Sequence, residues 1–327
     1  MTDLTGRSEA YVACVPHVPI LSLQEREVNP ELWRAYEARI AELAAFDPDV
    51  VIVFGGDHYS NIRLNLSPTF IVGHAAEAIN DCGGVPGKLD VPKELSTKLA
   101  DFLVDNDFDI AVSYDMGVDH GFSNALGFFF HGKLDARPVI PVHINSLSDP
   151  RPSFRRCRQL GEAIGRWAAS LGKRVAFIGS GGLSHQTSFI FPQFDTAPDE
   201  KVRDFIVHRG SPDGITDEKW HGDIDAGMKK LSAEIIAGEF KAPWINKEWD
   251  EHFLEVFTAG DLSRFDSWTD AEVLDKAGYG GGEIRMWIAA AAAGLAAGAP
   301  GLKTDFYSEN TPLAIGAGIA HSELVAA

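Results

Sequence analysis

The chain has 327 residues, of which 45% are hydrophobic, and its 29 basic and 47 acidic residues give a net charge of −18 at pH 7. This length suits one large α/β domain or two modest ones, and the hydrophobic fraction excludes global disorder. The acidic charge argues against nucleic acid or an anionic membrane as partners. It does not exclude an anionic small substrate, because a binding site can be locally positive.

Cysteine usage and the longest apolar stretch limit the setting of the protein. Cys14, Cys82 and Cys157 form no CxxC motif, which favours a reduced, cytoplasmic environment. The N-terminal MTDLTGRSEA has no basic segment followed by an apolar one, so we expect no secretory signal. The stretch IAAAAAGLAAGA (288–299) is shorter than the roughly 20 residues of a membrane span. It predicts a tightly packed helix.

Runs rich in valine and isoleucine alternate with helical patterns along the first part of the chain. The predicted strands are YVACV (11–15), VVIVF (50–54), IAVSY (110–114), PVIPVHI (138–144) and VAFIG (175–179). Apolar residues at three- and four-residue spacing predict helices over 31–46, 91–105 and 154–172. Continuous apolar strands that alternate with helices predict an α/β fold with a central, mainly parallel sheet covered by helices.

The character of the sequence changes near residue 195, where strand patterns give way to tryptophan-rich helical patterns. We expect an α/β core over 9–195, a more helical portion over 196–300 that packs back on the core, and a return segment over 301–327. The run LAIGAGIA (313–320) is expected to add a strand or to line the site. No linker stands out, which predicts a single catalytic domain over 1–327.

Four histidines each follow a strand-like apolar run: His17 in VPHVP, His58 in GGDHYS, His120 in GVDHGF and His185 in GGLSHQ. Ligands of open α/β sheets bind in the crevice beyond the carboxyl ends of the strands, so we expect these imidazoles to share one site. Glu283, in YGGGEIRMW, opens an apolar helix late in the chain, and the glycines before it permit close backbone approach.

Two imidazoles and one carboxylate are the ligands of a common class of iron site. His17, His58 and Glu283 are candidates for it, because a carboxylate that enters an apolar helix needs a partner, and a metal is an effective one. The simpler alternatives are hydrogen-bonded histidines of the surface or core and a glutamate that only caps its helix. Asp57 either orients a histidine or caps a turn, and we favour the cap.

His120 and His185 have no carboxylate at metal-ligand spacing, which favours acid/base roles. The loop GSGGLSH (179–185) has phosphate binding as its rival function, but it lacks the lysine of a P-loop and the GxGxxG spacing. No GxSxG nucleophile motif is present. Ordinary structural roles are expected for the remaining histidines, which are His74, His131, His143, His208, His221, His252 and His321.

Several segments together resemble the class III extradiol ring-cleaving dioxygenases. They are PHVP, DHYS, VSYDMGVDHGF, LGEAIGRWAASLGKRVAFIGSGGLSHQ and GGGEIRMWIAA. The resemblance covers residues 11–320 and is strongest over 108–187. The segment 190–245 is least like the family, and such a segment can shape the entrance to a pocket.

The resemblance implies that His17, His58 and Glu283 bind Fe(II) and that His120 and His185 are the acid/base residues. It implies cleavage of a small aromatic diol, a catechol such as 2,3-dihydroxyphenylpropionate, beside the diol with incorporation of O2. It also implies a homo-oligomer in the cytoplasm.

Three alternatives stay open at this point. The first is the same chemistry on another catechol, an aminophenol or a gallate-like acid, which would use the same metal ligands. The second is a Memo-like, non-catalytic binding protein on the same fold, which the full set of five residues disfavours. The third is a zinc hydrolase that uses the same side chains, which metal content and oxygen dependence would distinguish.

Overall fold

A computed structural model describes residues 9–208, 214–240 and 244–324. The N-terminal segment without a predicted signal lies mostly outside the described residues, as do the last three residues of the predicted return segment. Two short stretches of the predicted helical portion, 209–213 and 241–243, are also outside them.

The described residues contain strands concentrated in the first 180 residues and at the C-terminal end. The strands are β1 (Ala10–Val15), β2 (Val50–Gly55), β3 (Phe70–Gly73), β4 (Ala76–Ala78), β5 (Gly87–Lys88), β6 (Ala111–Ser113), β7 (Met116–Val118), β8 (Val139–Ile144), β9 (Val175–Ser180), β10 (Leu302–Asn310) and β11 (Ile315–Ser322). The α-helices are α1 (Pro19–Leu23), α2 (Pro30–Phe46), α3 (Lys93–Asp105), α4 (His120–Phe129), α5 (Phe154–Ala169), α6 (Glu200–Val207), α7 (Asp217–Ile236), α8 (Lys247–Thr258), α9 (Asp270–Ala277) and α10 (Ile284–Ala296).

The predicted α/β fold is confirmed. An eight-stranded sheet has the order β10-β11-β1-β9-β2-β8-β3-β6, and its centre, β1-β9-β2-β8, is parallel throughout. The hairpin of β10 and β11 adds antiparallel to β1, and β3 pairs antiparallel with β8. A second, three-stranded sheet has the order β5-β4-β7. Apolar residues from both faces of the large sheet are buried under helices.

The alanine-rich helix α10 packs tightly against α5, as its composition predicts. A Cβ atom added at Gly161 or Gly165 of α5 would lie 2.2 Å from the carbonyl oxygen of Ala289 or Ala293, respectively. Only glycine permits this approach of the two backbones. In the part of the chain that the structure describes, no helix is long and apolar enough to cross a membrane.

The structure differs from the sequence-based expectation in the short and peripheral strands. The run IAVSY forms only the three-residue edge strand β6, and β3, β4, β5 and β7 have no clear sequence signal because they span two to four residues. The run LAIGAGIA mostly forms β11. Its partner β10 was missed because its sequence, LKTDFYSEN, is largely polar and exposed. The helical character of the portion after 195 is confirmed by α6 to α10.

Candidate active site

The four histidines and Glu283 converge on one cavity, although they come from distant parts of the chain. His17, His185 and His58 follow β1, β9 and β2, which are neighbours in the sheet, so the predicted strand-end position is confirmed for these three. His120 differs. It follows β7 of the small sheet and is the first residue of α4.

Glu283 reaches the site through a glycine-rich 3-10 turn, Gly280–Glu283, that precedes α10. A Cβ atom added at Gly280 would lie 2.2 Å from His185 Nε2, so a side chain at that position would collide with the imidazole. The close approach predicted for this run is therefore present. Glu283 Oε2 accepts a hydrogen bond from the backbone N–H of Gly182 at 2.7 Å. This donor of the GSGGLSH loop thus serves the carboxylate and is not free to bind a phosphate.

One carboxylate oxygen lies at the centre of the histidines. Glu283 Oε1 is 3.5 Å from His17 Nε2, 3.5 Å from His58 Nε2 and 3.7 Å from His185 Nε2. All of these side chains are buried or nearly so. The free carboxylate oxygen therefore faces several imidazole nitrogens at once.

Hydrogen bonds at Nδ1 fix which nitrogen of His17 and His58 faces this oxygen. The Ser180 hydroxyl donates to the Gly121 carbonyl at 2.6 Å, so toward His17 Nδ1, 3.1 Å away, it accepts. His58 Nδ1 donates to Asp119 Oδ2 at 3.0 Å. With Nδ1 the donor in both rings, each Nε2 faces the carboxylate and presents a lone pair when the imidazole is neutral, which is the form that binds a metal.

His120 and His185 are oriented in the same way by other acceptors. His120 Nδ1 is 2.6 Å from Asp81 Oδ2, and His185 Nδ1 is 2.8 Å from the Leu183 carbonyl oxygen. The ring of His120 stacks on that of His58, with centroids 4.3 Å apart and an interplanar angle of 21°. The two imidazoles that are predicted to move protons are thus held beside the predicted ligands.

Electrostatics differ between the members of the cluster. Burial raises the pKa of Glu283, but His17 and His185 outweigh this effect and hold that pKa well below its usual value. Burial lowers the pKa of His17, although Glu283 opposes the change. Burial and His120 lower the pKa of His58, but Asp119 and Glu283 prevail and raise it to about 9. The carboxylate is therefore ionised at neutral pH.

The acid/base candidates also have shifted pKa values. Burial lowers the pKa of His120, but Asp81 outweighs burial and raises it well above the usual value. Burial likewise lowers the pKa of His185, and Glu283 reverses the shift and raises it. Both rings lie beside carboxylates in a buried site, an arrangement typical of proton-transfer residues.

The chemistry of the donor set fits a divalent metal. Two imidazole Nε2 atoms and an ionised carboxylate oxygen face one another in a buried site, and each of these three side chains is fixed by a second hydrogen bond. The ring nitrogens of His17, His58 and His120 also lie within 4.8 Å of one another, so a three-histidine set is a rival for the same place. The chain therefore has a buried group able to bind a metal.

Sequence reasoning missed the residues that orient the histidines. Asp119 and Asp81 hold His58 and His120, and Ser180 holds His17. Only Asp119, which directly precedes His120, carries a local signal. Asp81 is 39 positions from its partner, and no spacing rule connects them.

Two sequence-based preferences for ordinary roles agree with the structure. Asp57 accepts hydrogen bonds from the backbone N–H groups of Ser60, Asn61 and Ile62, which is the turn cap that we favoured. The seven histidines that were given structural roles all lie within the described residues, and they are absent from the walls of this cavity.

Two ends of the cavity can be distinguished by the residues that line them. The metal end consists of His17, His58, His120, His185 and Glu283. The substituent end is lined by apolar side chains from α7, from the loop after His185 and from the connection between β10 and β11. The run LAIGAGIA thus both forms a strand and lines the site, whereas Tyr307 donates to Asp250 at 2.9 Å, away from the cavity wall.

Comparisons with known proteins agree with this geometry. Residues 11–320 match the family model described as the catalytic LigB subunit of aromatic ring-opening dioxygenase. The chain is 38% identical over 301 residues to a Rhodococcus sp protein named 2,3-dihydroxyphenylpropionate/2,3-dihydroxicinnamic acid 1,2-dioxygenase, with 91% of this chain and 93% of the relative covered. A Pseudomonas putida protein with the same name, numbered 1, is 38% identical over 289 residues, which cover 87% of this chain and 89% of the relative.

Proposed function

The chain belongs to the LigB family of aromatic ring-opening dioxygenases, and we propose that it cleaves the ring of a catechol such as 2,3-dihydroxyphenylpropionate beside the diol, with Fe(II) as its metal and O2 as co-substrate. The observation that carries this proposal is the position of Glu283 Oε1, 3.5 Å from the Nε2 atoms of both His17 and His58. Two further oriented histidines border the same cavity.

We assign the metal to His17, His58 and Glu283 and not to the three-histidine set. Glu283 supplies negative charge, and its second oxygen is anchored by Gly182. The three-histidine set lacks this negative charge, and its His120 is stacked on His58 and held at Nδ1 by Asp81. Bound at a two-histidine, one-carboxylate site, Fe(II) would supply open positions for the diol and for O2.

The protein's own residues then handle the protons of the diol. His120 and His185 each keep Nδ1 against an acceptor, which leaves Nε2 to take a proton from a hydroxyl or to return one to the opened ring. Proton transfer by a positioned side chain of this kind contributes about 10²–10⁴-fold to a rate. The assignment of base and acid between the two residues stays open.

The setting of the enzyme belongs to the same proposal. We place it in the cytoplasm, because Cys14, Cys82 and Cys157 are all free and buried. We treat residues 1–327 as a single catalytic domain, since the proposed ligands come from both the α/β core and the helical portion. A homo-oligomer is a prediction that size-exclusion chromatography with light scattering would test.

Anaerobic protein loaded with Fe(II) provides the test. After addition of 2,3-dihydroxyphenylpropionate and then O2, we expect one O2 consumed per catechol and a yellow ring-opened product, with zinc-loaded protein as the inactive control. Turnover only with aminophenols or gallate-like acids would change the proposed substrate but leave the proposed ring-cleaving reaction standing. Bound iron without oxygen uptake on any of these compounds would support a Memo-like binding protein, and zinc-dependent, oxygen-independent hydrolysis would support a hydrolase.

A further inference from the structure

The residues that line the substituent end of the cavity indicate which substituent the aromatic ring of the substrate has. We infer that the preferred substrate is a catechol with an uncharged, apolar substituent, an alkyl or aryl group, in preference to one with a carboxylate side chain. This inference rests on the proposed ring-cleaving function and narrows its substrate class.

One wall of the substituent end is an apolar stripe on α7. Ile224, Met228 and Leu231 are spaced by four and three residues, so they lie on one face of the helix, and all three line the cavity. Ile224 and Met228 are buried. Methionine adapts to irregular apolar ligands. This wall therefore offers contact area but no charge.

The loop after His185 supplies aromatic rings from the other side. Phe191 lies between the two ends, with its ring centroid 5.0 Å from that of His58 and 6.3 Å from that of His120. Phe189 lines the cavity, is 58% exposed and stacks on Trp244 at 6.3 Å. An exposed aromatic pair of this kind at a cavity suits an apolar ligand better than a hydrated anion.

Within the described residues, no lysine or arginine lines the cavity, and the groups on its wall that can carry positive charge are the histidines of the metal end. At the substituent end the nearby charge is negative, because Asp225 of α7 accepts a hydrogen bond from the backbone N–H of Cys82, a wall residue. Each buried arginine of the described residues has a carboxylate partner of its own. The pairs are Arg39 with Glu42, Arg63 with Asp217, Arg151 with Asp149 and Arg285 with Asp270.

The uncharged donors on the wall supply hydrogen bonds but no charge. The Gln186 amide oxygen accepts from the backbone N–H groups of Thr187, Ser188 and Tyr279, which leaves the amide NH2 as a donor. The buried Thr187 hydroxyl is without a partner in the described residues and can donate one hydrogen bond. A carboxylate moved from water into this space would exchange its hydration for these few neutral hydrogen bonds without an ion pair, whereas an alkyl chain would gain from burial.

The test compares two catechols that differ in this one respect, 3-propylcatechol and 2,3-dihydroxyphenylpropionate. The specificity constant kcat/KM is measured from initial oxygen uptake by the Fe(II) enzyme. The dissociation constant is measured under anaerobic conditions from the change in catechol absorbance on binding. We expect 3-propylcatechol to be favoured at least about tenfold in both quantities, the factor that corresponds to about 1.4 kcal/mol.

A charge placed on the wall should reverse this preference. Met228→Lys introduces a cation on the cavity face of α7, and we expect the ratio of the two specificity constants to shift toward the carboxylate compound by at least about tenfold. Ala226→Lys adds the same charge on the exposed face of the same helix and is the matched control, with a ratio within about twofold of wild type.

The possible outcomes distinguish the apolar substrate preference from the ring-cleaving function on which it rests. Equal or better binding and turnover of 2,3-dihydroxyphenylpropionate by the wild type would overturn the apolar preference and leave the ring-cleaving function standing. Failure to cleave any catechol with iron bound would overturn both. If Met228→Lys does not fold, the wild-type ratios decide the question alone.

Discussion

The two ends of the cavity are built in different ways. At the metal end, the side chains come from the ends of adjacent core strands, from the first residue of α4 and from the turn before α10, and each is held by a hydrogen bond to a second residue. At the substituent end, the wall is an apolar face of α7 and neighbouring loops, held mainly by side-chain packing. On the proposals above, the core therefore positions the reacting groups, and a peripheral segment sets the choice of substrate.

The largest effect is expected from removing the carboxylate of the metal end. Glu283→Ala, and likewise His17→Ala and His58→Ala, should retain less than about one tenth of the wild-type iron after anaerobic loading, with turnover lost in parallel. His120→Ala and His185→Ala should retain iron and lose turnover. Iron is measured by plasma mass spectrometry and turnover by oxygen uptake.

Glu255→Ala, on an exposed position of α8, is the matched control for loss of one carboxylate and should keep full iron. Iron loss by His120→Ala together with iron retention by Glu283→Ala would contradict the ligand assignment and favour the three-histidine set.

A second prediction separates orientation of a ligand from orientation of a proton-transfer residue. In Asp119→Asn, the amide oxygen can still accept from His58, but the amide NH2 then faces the backbone N–H of Gly121, which donates to Asp119 Oδ1, and the negative charge beside His58 Nδ1 is lost. Metal affinity should therefore fall about 10–100-fold. Asp81→Asn should lower kcat with little change in metal affinity, because its partner His120 is not a proposed ligand. Calorimetric titration with Fe(II) distinguishes them, and equal loss of affinity in both variants would argue against the separation.

A third prediction concerns a histidine behind the metal end. His143 lies in β8 opposite Gly55, and burial lowers its pKa to about 4. Because the unfolded chain takes up the proton near pH 6.5, the free energy of unfolding should fall as the pH drops from about 6.5 to about 4, by roughly 3 kcal/mol from this residue. His143→Gln cannot make this contribution.

Urea unfolding at several pH values in this window therefore checks the gap in stability between wild type and His143→Gln. As the pH falls, the free energy of unfolding of the wild type should decrease relative to that of His143→Gln. A gap that stays constant would show that His143 titrates normally in the folded protein.

The smallest expected effects concern the packing of the helices that support the two ends of the cavity. Gly165→Ala in α5 would push against the Ala293 carbonyl of α10, the helix that follows Glu283, and should destabilise the fold by about 1–3 kcal/mol. Gly227→Ala in α7 meets no atom within 4 Å and should stabilise the helix by about 0.5–1 kcal/mol. Denaturant midpoints report both changes. Similar shifts of the denaturant midpoint in the two variants would contradict the expected difference in packing between α5 and α7.

The sequence predicts much of this molecule because its strong signals are local. Continuous apolar runs reveal β1, β2, β8 and β9, and the position of His17, His58 and His185 after such runs predicts a shared edge of the sheet. The glycines before Glu283 indicate the close approach that the fold contains. These features depend on neighbours in the chain, which a sequence pattern can show.

What could not be predicted depends on tertiary contacts. The pairing of Asp81 with His120 joins residues 39 positions apart, and β10 is too polar to stand out as a strand before its partner β11 is known. The stripe of Ile224, Met228 and Leu231 reads as an ordinary core face of a helix. Only the fold shows that this face borders the site.

The most direct test of the ligand assignment is anomalous diffraction at the iron edge from anaerobic crystals loaded with Fe(II). We expect a single strong peak bonded to His17 Nε2, His58 Nε2 and a Glu283 carboxylate oxygen. A peak coordinated by His120 in place of Glu283, or one at the second buried group formed by Asp81, Cys82 and His120, would contradict it.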